Sequence, residues 1–188
     1  MAHRVISDDA FLEIALDLFR TYGFEGVSLK MLSDETGLEK ASLYYRYPAG
    51  KDQIVTTVAE SVAAWFESNI FELLDGTGTP RARISLVAER LEEFYSSGSK
   101  ASILDVLSIQ SGPEELRIVL RKMTQAWIDS FTKIATENGL DGVDARSRAE
   151  EALIRIEGSL IFARTVGSGA AFAHTLKLLP DLLSPAAQ

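Results

Sequence analysis

Residues 28–51 read SLKMLSDETGLEKASLYYRYPAGK, and their punctuation predicts two short helices joined by a tight turn and closed by a basic loop. Ser28 can cap the first helix by accepting a backbone N–H, and Leu29, Leu32 and Thr36 then share one face at helical spacing. Gly37 ends that helix, because glycine takes the left-handed conformation at little cost, and Leu38 comes next to pin the turn to the core. The second helix begins near Glu39. Leu43 points inward within it, which leaves Lys40, Ser42, Tyr44 and Tyr45 for solvent or a partner. Those are residue types that bind phosphates and the edges of bases.

Working outward, Ser7-Asp8-Asp9 is a helix start, a capping serine followed by acids that suit the positive end of the helix dipole. Phe11, Ile14, Ala15, Leu18 and Phe19 then form an apolar stripe as far as Tyr22, where Gly23 stops the helix. His3 and Arg4 before it are a frayed end or a short arm toward a groove. The run from Phe19 through Tyr22-Gly23-Phe24 and Val27-Ser28 to Gly37-Leu38 and Leu43-Tyr44-Tyr45-Arg46-Tyr47 resembles the N-terminal domain of TetR-type repressors. Several residue types at fixed spacing make this more specific than a bare helix-turn-helix pattern. The resemblance covers about the first third of the chain, and beyond it only the layout is similar.

The resemblance implies a reading head in which Ser28, Ser42, Tyr44 and Lys51 hold phosphates of double-stranded DNA, while Lys30, Lys40 and Tyr45 face bases or nearby backbone. A lysine where Lys51 stands is a recurring backbone anchor in such repressors. Two departures stand out. Glu39 replaces the small hydroxyl that commonly caps the recognition helix, and Ala41 replaces a frequent glycine.

Composition sets the outer limits. The chain has 188 residues, 46% of them hydrophobic, enough for a fully folded protein. It has no cysteine, which excludes disulfides, thiolate metal sites and a cysteine nucleophile, and suits a reducing cytoplasm. Acidic residues interrupt the start where a signal peptide needs an apolar run, and Arg164, His174 and Lys177 break the most apolar later stretch, so a soluble, cytoplasmic protein without a membrane span is expected.

The net charge of −8 argues against a general DNA coater. Residues 1–51 carry six Lys/Arg against eight Asp/Glu, but residues 40–51 hold Lys40, Arg46 and Lys51 with no acid among them. A salt-sensitive, site-specific binder fits that distribution.

Pro48-Ala49-Gly50 separates the reader from the rest of the chain, giving a helix-turn-helix domain at 1–51 and a helical effector-binding and dimerisation domain at 52–188. A long helix over 52–74 is apolar on more than one face and is the natural lever between the two. Helices over about 80–95, 103–109, 113–137, 143–166 and 170–183 complete an all-α fold of about nine helices. In the helix from Pro80, Arg81, Arg83, Glu89, Arg90, Glu92 and Glu93 are expected to face outward.

Catalytic patterns are weak. The acid pairs Glu92-Glu93, Glu114-Glu115 and Glu150-Glu151 diverge on a helix, no metal-ligand spacing occurs, and Ser97, Ser159 and His174 have no arrangement recommending them. No catalytic residue and no cofactor is expected. Trp65, Phe66, Phe94, Trp127, Phe131 and Phe162 are individually core residues; together they suggest the lining of a pocket for a small apolar effector, as the family's C-terminal domains commonly hold. Arg155, Glu157 and Arg164 form an intersubunit ion network or anchor that ligand.

Ala149, Ala152, Gly158, Ser159, Ala163, Gly167, Ala170, Ala171 and Ala173 let the last two helices cross closely, and a four-helix interface there is how the family forms homodimers. The sequence therefore reads as a ligand-responsive, dimeric transcriptional repressor of a palindromic operator. A small-molecule carrier without DNA reading, and an all-helical carboxylate enzyme, are the competing classes.

Overall fold

A computed structural model describes residues 6–108 and 112–185. His3 and Arg4, and the expected extension of the short helix to Ile109, lie outside the described residues. Among the described residues the fold is all-helical, with nine helices and no strand.

These are α1 (Asp8–Gly26), α2 (Leu29–Thr36), α3 (Lys40–Arg46), α4, α5 (Pro80–Phe94), α6 (Ile103–Leu107), α7 (Glu114–Glu137), α8 (Gly142–Val166) and α9 (Ala170–Leu182). Helix α4 runs as Lys51–Phe66, continues through a π-helical turn at Glu67–Phe71, and closes with Glu72–Leu74. Ser7 caps α1 as its sequence predicts, accepting from the Ala10 amide at 3.2 Å, and Gly23 interrupts that helix at φ 66°, ψ −179°.

The chain divides into two compact units, one with residues up to Ala63 together with Ile103–Arg121, the other with Ala64–Ser102 and the residues from Lys122 onward. This division falls inside α4 rather than in the loop at 48–50, because α4 supplies buried residues to the first unit (Ile54, Val55, Val58, Val62) as well as to the second (Phe66, Ile70, Phe71, Leu74). In the first unit, Phe11, Phe19, Leu32 and Leu43 have essentially no exposed surface, and Phe11 stacks on Tyr47 at 5.2 Å.

The π turn sits in the second unit's share of α4. The Glu72 amide reaches back five residues to the Glu67 carbonyl instead of four. Beside it, the Asn69 side-chain amide donates to the Trp65 carbonyl at 2.9 Å, supporting an acceptor where the regular ladder is disturbed.

Three sequence expectations need correction in this unit. Arg83 is buried rather than outward, because its guanidinium donates to the Leu74 carbonyl, at the end of α4 where no helical amide remains, and pairs with Glu137 in the last turn of α7. Most of the small residues on α8 are used inside the chain: Ala149, Ala152, Ser159 and Ala163 are buried, and the Ala163 side chain lies beside buried Gly98, next to Phe172 of α9. Large apolar side chains instead stand on the outer side of α8, with Ile154 70% and Phe162 57% exposed, alongside Ile161, Val166 and open Gly158.

The acidic pairs behave as solvated faces. Glu93 pairs with Arg90, Glu114 with Arg117 and Arg121, Glu150 with Arg146, and Glu151 with Arg148 and Arg155. Hydrogen bonds from Arg117 and then Arg121 hold the Glu114 carboxyl below its ordinary range. Arg155 is thus engaged within its own helix, while Glu157 accepts from Ser102 at 3.0 Å.

Candidate nucleic-acid interface

The turn between α2 and α3 is fixed by short-range chemistry. Ser28 caps α2, its Oγ accepting from the Met31 amide at 3.2 Å. Gly37 closes it in the left-handed region (φ 70°, ψ 10°), where it sends its amide to the Ser33 carbonyl at 3.0 Å. The Ser33 hydroxyl donates to the Leu38 carbonyl at 2.6 Å, and the Leu38 amide meets Thr36 Oγ1 at 3.3 Å. These bonds give the turn's polar groups local partners.

Glu39 occupies the cap position of α3 in extended geometry (φ −67°, ψ 149°) but makes no side-chain cap bond. The departure seen in the sequence is thus a missing hydrogen bond. Glu39→Ser is expected to stabilise the first unit by about 0.5–1 kcal/mol, measured as a rise in its thermal midpoint; an unchanged or lowered midpoint would show that the first amides of α3 gain nothing from a hydroxyl.

Leu43 anchors α3 in the core at 1% exposure, and the rest of the helix is turned out. Lys40 is exposed, Ser42 half-buried, Tyr44 52% exposed and Tyr45 89% exposed. The Tyr44 ring lies over Gly50, where an added Cβ would stand 3.6 Å from Cε1 and 3.8 Å from Leu29 Cδ1. Gly50 itself has φ +65°, so the loop needs glycine for its backbone, while an added Cβ would only make ordinary contact with the ring.

Lysines 30 and 51 are placed differently. Lys30 is exposed on α2 and pairs with Asp34 at 2.6 Å. Lys51 begins α4, donates one hydrogen bond to the Phe24 carbonyl at 3.0 Å and stands 4.1 Å over the Phe24 ring. An ammonium has three protons, so two remain for another acceptor. Gln53 completes the start of α4 by accepting from the Ala49 amide at 3.1 Å.

Arg46 is not among the site residues that the sequence suggests. It ends α3, donates to the Ile6 carbonyl at 3.1 Å and pairs with Asp8 at 3.0 Å. The net positive stretch at 40–51 is therefore partly neutralised by an acid from α1. Next to it the Tyr47 hydroxyl is pushed up from its ordinary pKa, first by burial and then by the Asp8 charge, with Arg46 opposing. Only the spatial neighbourhood reveals this arrangement, since the Arg46 partners lie about forty residues away in the chain.

The six aromatic residues expected around a ligand divide. Trp65 and Phe94 stack at 4.3 Å, Phe66 meets Phe94 and Trp127 at 5.1 Å each, and Trp127 meets Phe131 at 5.2 Å. Phe71, not one of the six, joins them through Trp127 at 5.2 Å. Trp65 and Phe94 are half-buried and form the accessible edge of the cluster. Phe162 stands in the exposed row on α8 instead.

A capped helix, a glycine turn and a second helix presenting lysine, serine and tyrosine define a helix-turn-helix reading head. Residues 11–58 match the family described as bacterial regulatory proteins, tetR family. Over nearly its whole length the chain is 24% identical to the HTH-type transcriptional regulator LmrA of Bacillus subtilis, with 94% of this chain and 96% of that one covered. Its fold is similar to that of a TetR transcriptional regulator from Legionella pneumophila (TM-score 0.85, 17% identity, 95% and 98% covered). It is similar also to that of Bacillus subtilis FadR in complex with stearoyl-CoA (TM-score 0.71, 15% identity, 95% and 98% covered). The family match is confined to the helix-turn-helix segment, and over nearly its whole length the chain shares the fold of TetR-type regulators. The curated relative it matches is a transcriptional regulator rather than an enzyme, and among the described residues no helix is long and apolar enough to cross a membrane.

Proposed function

We propose that the protein is a homodimeric, cytoplasmic repressor that reads a palindromic operator and releases it when a small apolar effector binds the second unit. The observation that carries the reading is the outer surface of α3, where Lys40, Ser42, Tyr44 and Tyr45 stand on a helix held from beneath by Leu43. Ser28, Ser42, Tyr44 and Lys51 are assigned to phosphates, and Lys30, Lys40 and Tyr45 to bases or the adjacent backbone. Lys51 meets its phosphate while tethered to Phe24, which reduces the entropy cost of binding.

Dimerisation is assigned to α8 and α9. Ile154, Gly158, Ile161 and Phe162 share one face of α8 at helical spacing, and a row of this kind in water favours a second copy. The double substitution Ile154→Asp, Phe162→Asp is expected to convert the dimer to a monomer in sedimentation velocity; a dimer that survives both carboxylates would move the interface elsewhere.

The effector site is assigned to the Trp65–Phe94 edge of the aromatic cluster, where a ligand can lie against the half-buried rings without opening the fully buried Phe131. FadR, similar in fold, is complexed with an acyl-CoA, which favours an apolar chain as the effector. Because α4 contributes to both compact units, a shift in its ligand-side half is carried in one helix toward the reader.

Selection from random duplexes at low salt, followed by sequencing, tests the reading. A palindrome with half-sites about 34–36 Å apart, or a multiple, is expected; absence of any enriched motif would leave a small-molecule carrier as the better account.

A further inference from the structure

We propose that Arg46 is a positioning residue for DNA reading, setting the pose of the recognition helix from its C-terminal end and contributing no phosphate contact. This rests on the assignment of α3 as the reading helix.

By residue type alone, an arginine at the end of such a helix belongs to the phosphate backbone. Its actual partners lie within the protein. Its Nη2 donates to the Ile6 carbonyl at 3.1 Å, its Nη1 lies 3.0 Å from the Asp8 carboxylate, and its side chain is only 26% exposed while Asp8 is 77% exposed. The next residue repeats the tie with apolar chemistry, the Tyr47 ring stacking on Phe11 one turn into α1. The last turn of α3 is therefore fastened twice to the first turn of α1.

The other end of α3 has no such fastening, since Glu39 makes no cap bond. A seven-residue helix is too short to hold its own direction. Its orientation comes from Leu43 below and from Arg46 and Tyr47 behind. A guanidinium suits this task, because one nitrogen donates to the Ile6 carbonyl while the other stands at ion-pair distance from the Asp8 carboxylate.

The test uses the full chain and the duplex obtained by selection, with affinity measured by fluorescence anisotropy between about 50 and 200 mM salt. Removing a phosphate-binding cation flattens the slope of log affinity against log salt by about 0.9 for each phosphate left unneutralised, whereas removing a positioning residue lowers affinity and leaves the slope in place. Arg46→Met is expected to bind on the order of fivefold more weakly or worse with an unchanged slope. Asp8→Ala, which removes the same tie from its far end, is expected to weaken binding too, and the double variant to be no weaker than Arg46→Met alone.

A slope flattened by about 0.9 for each protomer in Arg46→Met, with Asp8→Ala binding as well as the parent or better, would make Arg46 a phosphate contact and overturn the proposal. Unchanged affinity in Arg46→Met would overturn it equally. Amide exchange guards against a variant that simply unfolds: faster exchange is expected at Leu43, Tyr44 and Tyr45 but not in α8, and unaltered exchange in α3 counts against positioning. Failure of the parent protein to select any duplex would instead strike at the DNA reading itself.

Discussion

Phe131→Ala lowers the stability of the second unit by about 4 kcal/mol, a loss in the range measured for emptying a large aromatic site. Phe131 has no exposed surface and lies edge-on to Trp127, which in turn touches Phe66 and Phe71. Truncation removes the apolar transfer term and leaves a void that the close-packed neighbours fill only in part. The edge-to-face pair with Trp127 accounts for about 0.5–1.5 kcal/mol of that loss. Urea unfolding at fixed protein concentration measures it, since association would otherwise shift the midpoint. A loss under about 2 kcal/mol would show that the cluster repacks freely, and would argue against rings rigid enough to register a ligand.

Tyr45→Ala is expected to weaken binding to the selected duplex at least tenfold, about 1.4 kcal/mol or more, and to leave stability within about 0.5 kcal/mol of the parent. The separation comes from the 89% exposure of Tyr45: the folded protein gains almost nothing from that ring, whereas the proposed interface would bury it. Tyr44→Ala should differ, losing affinity and stability together, because that ring also covers Gly50. Anisotropy titration on the selected duplex and thermal melting of the free protein give the two readings. Unaltered affinity in Tyr45→Ala would remove Tyr45 from the interface and shift the reading surface toward Lys30 and Lys40.

The reading head is legible in the sequence because it is built from near neighbours. The Ser28 cap spans three residues, and the left-handed Gly37 closes its helix with a bond to Ser33. Features decided at a distance escape such a reading. Arg83 lies among outward-facing charges by periodicity, but its partners are Leu74 and Glu137, the latter 54 positions away on another helix. Arg46 escapes for the same reason.

Phe162 illustrates a different limit. Helix α8 is apolar on two sides, with Leu153, Ile156 and Leu160 buried and Ile154, Ile161 and Phe162 exposed, so spacing alone cannot say which side a phenylalanine serves. The small residues of the same helix mislead in the opposite direction: they allow close approach, but to the chain's own neighbours.

The π turn in α4 bears on how this helix can change over evolutionary time. Five residues, Glu67–Phe71, are threaded where an α-helix would advance with fewer per turn, so the segment holds one residue in excess without leaving the helix. Loss of that residue would need no loop to absorb it: the amide now at Glu72 would meet the Glu67 carbonyl four positions back instead of five, and the turns on either side would keep their phase. Related chains can therefore differ by a one-residue gap inside α4 while Ile54 to Val62 before it and Leu74 after it both stay in phase.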